Sequence, residues 1–147
     1  GLLDQVGFGL TAFSSMRDRF GLNTQSFPEY YAKIDAGKLT LNRGMVRSKE
    51  EQMRWAIVLP LKNRCVWKEY YKKVTGGADI NQVFRPKTEN LKAFNLITED
   101  EEKIQLTKLG AFFADEVAQQ FHHPDYIPYS RDEYEFGPLH PYNNCHP

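Results

Sequence analysis

This 147-residue chain contains few recognisable patterns for metal binding or nucleophilic catalysis. The two cysteines, Cys65 and Cys145, lie far apart and form neither a paired-thiol motif nor a zinc-ligand pattern. No combination of Ser, His and Asp, or of Cys and His, is recognisable as a catalytic set. We therefore expect both cysteines to be reduced and structural, and we predict no catalytic residue and no metal site in this chain.

His122 and His123 form the only histidine cluster in the sequence and could serve as ligands or as a general base. They follow a predicted helix, and Pro124 prevents that helix from continuing. A protonated imidazole complements the negative end of a helix dipole. Capping of the preceding helix is therefore the favoured interpretation, and neither His140 nor His146 has a recognisable partner pattern.

Charge is distributed unevenly along the chain, although the formal net charge is zero. Residues 1–92 carry 16 Lys and Arg against 9 Asp and Glu, whereas residues 93–147 carry 3 against 10. This asymmetry favours docking between the two parts, or a basic surface that faces an anionic ligand. A solvated surface without a partner is equally open.

The composition is that of a globular protein, with 41% hydrophobic residues and enough length for one domain with an apolar core. No apolar run is long enough to span a bilayer, and the first residues lack the features of a signal peptide. We expect a soluble, cytoplasmic protein that does not interact with a membrane.

The most informative stretch for the fold is 91–121. Alternating polar and apolar residues at 103–106 give way to a helical period through Leu109, Val117 and Phe121, which indicates a strand followed by a helix. The predicted order is the end of a helix at 91–95, a strand at 96–98, an acidic, solvated turn at 99–102, a strand at 103–106 and a closing helix. This layout is winged-helix-like, so the predicted fold is mainly α with a small β-hairpin.

Capping residues locate the remaining helices. Ser26 and Gly37 bound a short helix, and Ser48 with Glu51 forms a capping box for a longer one, which Pro60 should kink or end. The other predicted elements are an extended segment at 38–45, an extended link at 65–66, a helix at 67–74, a helical turn at 79–84 and a helix at 87–95.

The two ends of the chain differ from the part between them. Val6, Phe8 and Leu10 alternate with glycines, which predicts a buried strand, and 16–25 is predicted to be a polar loop. A strand this near the first residue has no visible partner, so we expect the chain to be a piece of a larger fold. Residues 124–147 are rich in Pro and Tyr, which predicts an extended tail that docks along a surface.

Several segments, taken in order, resemble one protein family. They are GFGLTAFSS at 7–15, Asn23-Thr24, YYAKIDAG at 30–37, a mostly helical segment that ends in IVLPLK, LKAFNLI at 91–97 and IQLTKLGAFFADEV at 104–117. Together they are similar to the C-terminal part of the oxygen-independent coproporphyrinogen III oxidase family of radical S-adenosylmethionine enzymes. This family also includes heme chaperones, heme-degrading relatives and class C methyltransferases.

The resemblance implies three parts in the chain. Residues 1–25 would be the last strand and loop of a catalytic partial barrel, 26–123 a winged-helix-like C-terminal domain, and 124–147 a tail outside the family pattern. In the whole enzyme, a 4Fe-4S cluster and S-adenosylmethionine would start the oxidative decarboxylation of propionates in tetrapyrrole biosynthesis. The family's cluster needs a Cys-x3-Cys-x2-Cys arrangement, which this chain lacks, so the resemblance places the oxidoreductase chemistry upstream of Gly1.

The resemblance also suggests which residues bind the substrate. Arg17, Arg19 and Arg43 flank the segments that it places near the barrel mouth, and a guanidinium recognises a propionate through paired hydrogen bonds. Asn23 could position the same loop or bond its own backbone. The implied role is to pack on the barrel and enclose a tetrapyrrole or heme. An ordinary surface position is an equally open interpretation of each arginine.

Two other functions stay open at this point. A heme chaperone or heme-utilising relative of the same family would bind heme without decarboxylating it. A winged-helix DNA-binding module would use Arg85, Lys87, Asn90 and Lys92 on its recognition helix. The acidic turn at 99–102 opposes DNA binding, because its carboxylates would repel the phosphates, so nucleic acid is not the expected partner.

Overall fold

The computed structural model describes residues 3–143, which divide into a first unit, residues 3–52, and a second unit, residues 53–143. Each unit combines helical structure with a three-stranded antiparallel sheet, so the fold is of mixed α and β type, with more strands than the sequence predicted. Within residues 3–143, no helix is both long and apolar enough to cross a membrane.

The first unit contains three strands and one complete helix within the described residues. They are β1 (Phe13–Ser15), β2 (Arg19–Asn23), α1 (Phe27–Asp35) and β3 (Leu41–Val46), and β2 lies between β1 and β3. The predicted caps of α1 are confirmed. The Ser26 hydroxyl accepts a hydrogen bond from the Glu29 amide, and Gly37 has a φ of 64°, a left-handed conformation that glycine adopts without strain.

The helix α2 (Lys49–Lys62) begins in the first unit and continues into the second. Its predicted capping box is confirmed, since the Ser48 amide donates to the Glu51 carboxylate at 2.5 Å and the Glu51 amide donates to the Ser48 hydroxyl at 3.2 Å. Pro60 lies within the last turn of α2, where its missing N–H removes one helical hydrogen bond, and the helix ends at Lys62.

Two predictions for the first unit are wrong. The strand expected at 6–10 is absent, because Gly9 (φ 106°) and Thr11 (φ 60°) adopt left-handed conformations that turn the chain. The polar loop expected at 16–25 contains β2, which is hydrogen-bonded to both β1 and β3. Polar residues at both ends of β2 hid its strand pattern.

The first unit lacks a buried apolar core. Its buried residues are polar, namely Asn23, Thr24 and Thr40. Large apolar side chains are exposed instead, among them Phe8 (89%), Leu39 (79%), Val46 (78%), Phe27 (61%), Tyr31 (59%) and Val6 (56%). Burying one such side chain stabilises a protein by roughly 1.5–3 kcal/mol. The sheet and helix of this unit therefore present an apolar surface of the kind that marks an interaction site.

The second unit contains the end of α2 and the elements that follow it. They are β4 (Cys65–Trp67), α3 (Lys68–Thr75), α4 (Ile80–Ala93), β5 (Ile97–Glu99), β6 (Lys103–Leu106), α5 (Lys108–Phe112), α6 (Ala114–Gln119) and two 3-10 turns, Pro124–Tyr126 and Arg131–Glu133. The predicted hairpin of β5 and β6 is confirmed, with Ile97 opposite Leu106. The predicted extended link is β4, which pairs with β6 and gives the sheet order β4-β6-β5.

An apolar core fills the second unit. Its fully buried side chains include Ile57, Leu61, Val66, Tyr71, Ile80, Leu91, Ile97, Ile104, Val117 and Phe121. Arg54 of α2 joins this core to the end of α6, because its guanidinium donates to the carbonyls of Phe121 (3.3 Å) and His122 (3.1 Å). The same guanidinium lies 5.8 Å from the centre of the Phe84 ring, which packs edge-to-face on Phe121.

Two helices of the second unit differ from their predictions. The separate turn and helix predicted at 79–95 form one helix, α4, with a kink at Phe84 (φ −123°, ψ 18°), shortly before Pro86, which has no N–H donor. The closing helix is split at Phe113 (φ −113°, ψ 36°) into α5 and α6. The Phe113 amide bonds to the carbonyl of Gly110 three residues earlier, which tightens and ends α5.

The acidic turn between β5 and β6 is only partly solvated, so its prediction is wrong for Glu99. That side chain is 12% exposed, and its carboxylate oxygens bind the ammonium groups of Lys68 at 2.8 Å and Lys92 at 2.7 Å. Asp100 shapes the turn, since its carboxylate accepts a hydrogen bond from the Lys103 amide at 2.8 Å. The carboxylates of this turn therefore have structural partners.

The histidine pair does not cap the preceding helix as predicted. His123 caps the turn that follows, because its Nδ1 accepts a hydrogen bond from the Asp125 amide at 3.3 Å. Burial, together with the positive charges of Lys62 and Arg54, lowers the pKa of His122, so this side chain is neutral at neutral pH. The carbonyls at the helix end are bound by Arg54 instead.

Residues 124–143 fold in turns against the second unit instead of extending. Gln120 donates to the Leu139 carbonyl at 2.7 Å, and Asn90 of α4 donates to the Pro138 carbonyl at 3.1 Å. The aromatic rings that pack together in this segment are those of Tyr129, Tyr134, His140 and Tyr142. The predictions for Cys145 and His146 lie outside the described residues.

Candidate functional site

The first unit contains a concave pocket of about 690 Å³ on one face of its sheet. Its floor is a row of small residues across the three strands, since Ser14 lies opposite Gly21 and Gly21 lies opposite Gly44. A Cβ atom at Gly44 would lie 2.7 Å from the Phe20 carbonyl oxygen, and one at Gly21 would lie 2.9 Å from the side chain of Leu41. A larger residue at Gly44 would therefore require a backbone shift and one at Gly21 would displace the Leu41 side chain, so small residues keep the floor open.

Mostly apolar side chains surround this floor. They come from the segment before β1, from α1 and the loop that follows it, and from β3, and they include Val6, Phe8, Ile34, Leu39, Leu41 and Val46. Polar groups in the lining are few, among them Arg19, Asn23, Tyr30 and Lys38. Apolar walls with a few polar groups are typical of pockets for small molecules.

Asn23 positions the wall that precedes β1. Its side-chain amide donates to the Gly9 carbonyl at 2.8 Å, rather than to its own backbone. Gly7 is held on the same wall, because its amide donates to the Ser14 hydroxyl at 3.1 Å, and a Cβ atom at Gly7 would lie 2.3 Å from the Phe13 carbonyl oxygen. The segment at 6–9 can approach the sheet this closely only with glycine at position 7.

A polar network positions the opposite wall, formed by α1. The Thr24 hydroxyl donates to the Glu29 carboxylate at 2.7 Å, and Lys33 binds the same carboxylate at 2.6 Å. Lys33 also donates to the Leu41 carbonyl of β3 at 2.7 Å. Hydrogen bonds from Lys33 and Thr24 lower the pKa of Glu29, so the network is charged at neutral pH.

Arg19 is the predicted binding arginine that lines the pocket. Its Nε and Nη2 atoms bind both carboxylate oxygens of Asp18, at 3.0 and 2.7 Å, and its side chain is 61% exposed. The hydrogen bond from Arg19 lowers the pKa of Asp18, so this carboxylate is ionised at neutral pH. A ligand carboxylate would have to share Arg19 with Asp18.

The structure does not bring all of the predicted arginines together. Arg19 and Asn23 lie four positions apart on β2 and therefore share one face of the sheet. Arg43 lies opposite Leu22 and so belongs to the other face, and its side chain is exposed. Arg17 lies in the exposed turn between β1 and β2, outside the pocket lining.

Arg47 is a positioning residue that the sequence did not reveal. Its Nη1 atom donates to the carbonyls of Met16 at 2.6 Å and Arg19 at 2.9 Å, which fixes the turn between β1 and β2. The glycine row was also missed. A glycine in the middle of each of two strands, Gly21 and Gly44, is a signal of close approach that could have indicated it.

The residues of this chain do not fit the metal cluster of the implied enzyme. Among residues 3–143, no three or more His, Cys, Asp and Glu side chains are arranged to hold a metal ion. Cys65 is a free thiol, and the sequence contains no Cys-x3-Cys-x2-Cys arrangement. A 4Fe-4S cluster therefore cannot be assigned to these residues.

Sequence comparison finds no matching family model, but it finds two curated relatives. The oxygen-independent coproporphyrinogen III oxidase of Pseudomonas aeruginosa is 26% identical over 126 residues, which are 82% of this chain and 27% of the relative. The enzyme of the same name from Helicobacter pylori is 23% identical over 121 residues, 79% of this chain and 26% of the relative. The chain thus spans about a quarter of the length of these relatives.

Comparison with solved structures also finds a coproporphyrinogen III oxidase. Coproporphyrinogen III oxidase from Escherichia coli, a radical SAM enzyme, matches with a TM-score of 0.62 and 21% identity over 80% of this chain and 28% of that chain. At this identity the structural match shows the fold. Together with the two curated relatives, it shows that this chain is similar to part of the coproporphyrinogen III oxidases.

The relatives found by sequence are named oxygen-independent enzymes, and the resemblance predicted from the sequence is confirmed. The extent of the matches is consistent with a C-terminal domain of this family.

Proposed function

We propose that this chain is the C-terminal, substrate-enclosing part of a longer radical SAM protein that resembles oxygen-independent coproporphyrinogen III oxidase. Residues 1–25 would complete the catalytic barrel, 26–123 would form a winged-helix-like domain beside it, and 124–147 would be its tail. The sheet order β4-β6-β5, with α4 before the hairpin, supports the winged-helix-like part. The upstream part would carry the 4Fe-4S cluster and S-adenosylmethionine.

The observation that carries this proposal is the exposed apolar surface of the first unit. Its sheet and helix bury polar residues only, while Phe8, Leu39 and Val46 are each more than three-quarters exposed. An exposed apolar surface of this extent is typical of an interaction site. The missing part of a protein about four times as long is the natural partner, so this apolar surface would pack against the rest of that protein.

The pocket of the first unit supports a role in enclosing substrate. Its volume of about 690 Å³ lies in the range of small-molecule sites, roughly 300–1,000 Å³. Its apolar walls suit a tetrapyrrole skeleton, and Arg19 at its edge suits a propionate. Binding and enclosure would be the work of this chain, while the oxidative decarboxylation of propionates would depend on the upstream part.

A heme chaperone or heme-utilising relative is the alternative within the family. The same apolar pocket and arginine would hold heme, which also carries propionates. Titration of the native protein with oxidised heme separates the two functions, because a chaperone retains heme stably after gel filtration. Loss of heme during filtration, with retention of coproporphyrin III, supports the oxidase.

The winged-helix-like layout also allows DNA binding, but the hairpin provides no basic wing. Glu99 and Asp100 have structural partners there, and Glu101 and Glu102 are exposed carboxylates that would face phosphate. A duplex DNA titration at low salt tests this function. We expect no binding, and binding that weakens steeply with salt would contradict that expectation.

The first test is the intact mass and iron content of the native polypeptide, isolated from its source without oxygen. We expect a polypeptide several times longer than this chain, with an iron-sulfur cluster. A polypeptide of this length without iron would overturn the enzyme assignment.

A second test addresses the pocket. In the native protein, Arg19→Gln should weaken coproporphyrin III binding, because it removes the guanidinium at the pocket edge. Arg43→Gln is the matched variant, since it removes the same charge from the other face of the sheet. Equal affinities of the two variants for coproporphyrin III would contradict the role proposed for Arg19. The variants Arg17→Gln and Asn23→Ala test the two remaining candidate residues in the same binding measurement.

A further inference from the structure

A second pocket, of about 440 Å³, lies in the second unit where α2 ends and α5 begins. Three cationic side chains line it, those of Lys62, Arg64 and Lys108, and no acidic residue is among its described lining residues. They come from two separate segments of the chain, the end of α2 and the start of α5, which the fold brings to one pocket. The pocket therefore concentrates positive charge.

Within residues 3–143, two of these three cations have no protein partner. Lys62 binds the exposed carboxylate of Asp115 at 2.7 Å. The side chains of Arg64 and Lys108 make no hydrogen bond or ion pair with any residue in the range 3–143. Lys103 of the same unit, by contrast, lies 5.4 Å from the centre of the Trp67 ring. The pocket thus contains two positive charges that are free to bind an anion.

The backbone holds Arg64 in a strained conformation. Its φ is 104°, in the left-handed region that favours glycine. Hydrogen bonds on both sides impose this conformation, since the Arg64 amide donates to the Leu61 carbonyl and its carbonyl accepts from the Leu106 amide, both at 2.9 Å. Strain of this kind is common at binding sites, and here it fixes the direction in which a charged side chain leaves the backbone.

The neutral polar residues of the pocket are already satisfied by the protein. The Asn63 amide donates to the Leu59 carbonyl at 2.9 Å. The Thr107 hydroxyl donates to the Asn95 carbonyl at 2.7 Å and accepts from the Gly110 amide at 2.9 Å. Recognition of a ligand would therefore come from the cations.

We propose that this pocket binds a phosphate group of an anionic ligand through Arg64 and Lys108, with Lys62 at its edge. A guanidinium presents paired N–H donors that match two phosphate oxygens, and an ammonium group binds a third as a point charge. The dianionic charge of a phosphate matches the two unpaired cations. This site is an addition to the function proposed above and does not depend on it.

The test is an NMR titration of the 147-residue chain with inorganic pyrophosphate at constant ionic strength. We expect saturable shifts of the amides near Arg64, Leu106 and Lys108. Arg64→Asn and Lys108→Gln should each weaken binding about three- to fivefold, the effect of one exposed ion pair. Asparagine tolerates the left-handed backbone, so Arg64→Asn should fold normally.

The matched control is Lys73→Gln, which removes the same charge from an exposed position on α3 outside the pocket. Its affinity should equal that of the original chain. An equal loss in all three variants would indicate attraction by net charge and overturn the proposal. Amide shifts spread over the whole surface would also overturn the proposal. Tighter binding of citrate than of pyrophosphate, compared at equal ligand charge, would overturn it as well. Arg64→Gly, which relieves the strain, should fold at least as stably and still bind less.

Discussion

Substitution of Glu99 by glutamine should destabilise the second unit in a pH-dependent way. Burial alone would raise the pKa of this carboxyl group, but hydrogen bonds from Lys68 and Lys92 outweigh it and lower the pKa from 4.5 to about 2. The side chain is 12% exposed, so solvent screens these interactions only weakly. Glu99→Gln removes the charge with little change of size.

The pKa difference sets the size of the effect. At about 1.4 kcal/mol per pKa unit, a fall from 4.5 to about 2 corresponds to ~3 kcal/mol of stability. Because the folded-state pKa is the lower one, this contribution is complete above pH 4.5 and is lost as the pH falls towards 2. It should decrease to ~1 kcal/mol at pH 3. Glu99→Gln should therefore cost ~3 kcal/mol at pH 7 and much less at pH 3.

Urea denaturation at pH 7, 5, 4 and 3 measures this difference. Glu101→Gln is the matched control, because it makes the same chemical change at an exposed position in the same turn. We expect the control to change the free energy of unfolding by less than about 0.5 kcal/mol at every pH. The reasoning fails if the two variants are equally stable at pH 7, or if the cost of Glu99→Gln is the same at pH 3 as at pH 7.

Two further substitutions, Tyr71→Phe and Gly110→Ala, test the core of the second unit. Tyr71→Phe also tests the response of this unit to alkali. Tyr71→Phe should be neutral or stabilising by about 1 kcal/mol in urea denaturation, because the Tyr71 hydroxyl is buried without a hydrogen-bond partner; a clear loss of stability would contradict this. Burial raises the pKa of Tyr71, so its contribution to stability is complete below pH 10 and declines above it, and Tyr71→Phe should resist alkaline unfolding better than the original chain. Gly110→Ala should cost about 3 kcal/mol or prevent folding, because the new Cβ would lie 1.8 Å from the Leu96 carbonyl oxygen. Gly137→Ala, with no atom within 4 Å of the new Cβ, should leave the melting temperature nearly unchanged.

Local signals in the sequence predicted the helix starts and the hairpin correctly. Ser26, and Ser48 with Glu51, act through hydrogen bonds that span three residues, so short patterns contain all the information needed. The hairpin of β5 and β6 is also local. The partners of Glu99 were not predictable in this way, because Lys68 is 31 positions away and only the folded sheet brings it close.

The sheet of the first unit could not be predicted, because its strands lack the apolar alternation of a half-buried sheet. One face of β2 carries Arg19, Gly21 and Asn23, and its apolar neighbours are exposed or half-buried. A strand is predicted from apolar residues that alternate because one face is buried. Since this unit buries few apolar groups in the described chain, its strands lack that alternation. Its strands become evident only through backbone pairing.

The candidate site was predicted in part. Arg19 and Asn23 share the pocket, and their spacing of four places them on one face of any strand. Arg43 could not be placed, because its face depends on the pairing of β3 with β2, in which Arg43 lies opposite Leu22. The resemblance suggested the segments, whereas the strand register decides which of their side chains lie together.

Among the described residues, only the second unit has an apolar core, and this difference between the units affects how unfolding of the chain is observed. Both tryptophans, Trp55 and Trp67, belong to the second unit, so tryptophan fluorescence follows that unit alone. Backbone circular dichroism follows both units, and amide hydrogens of β1–β3 should exchange through local openings long before those of β6. The two optical transitions should then fail to coincide, which is the signature of a chain that does not unfold in two states. A single melting temperature would describe only part of the molecule.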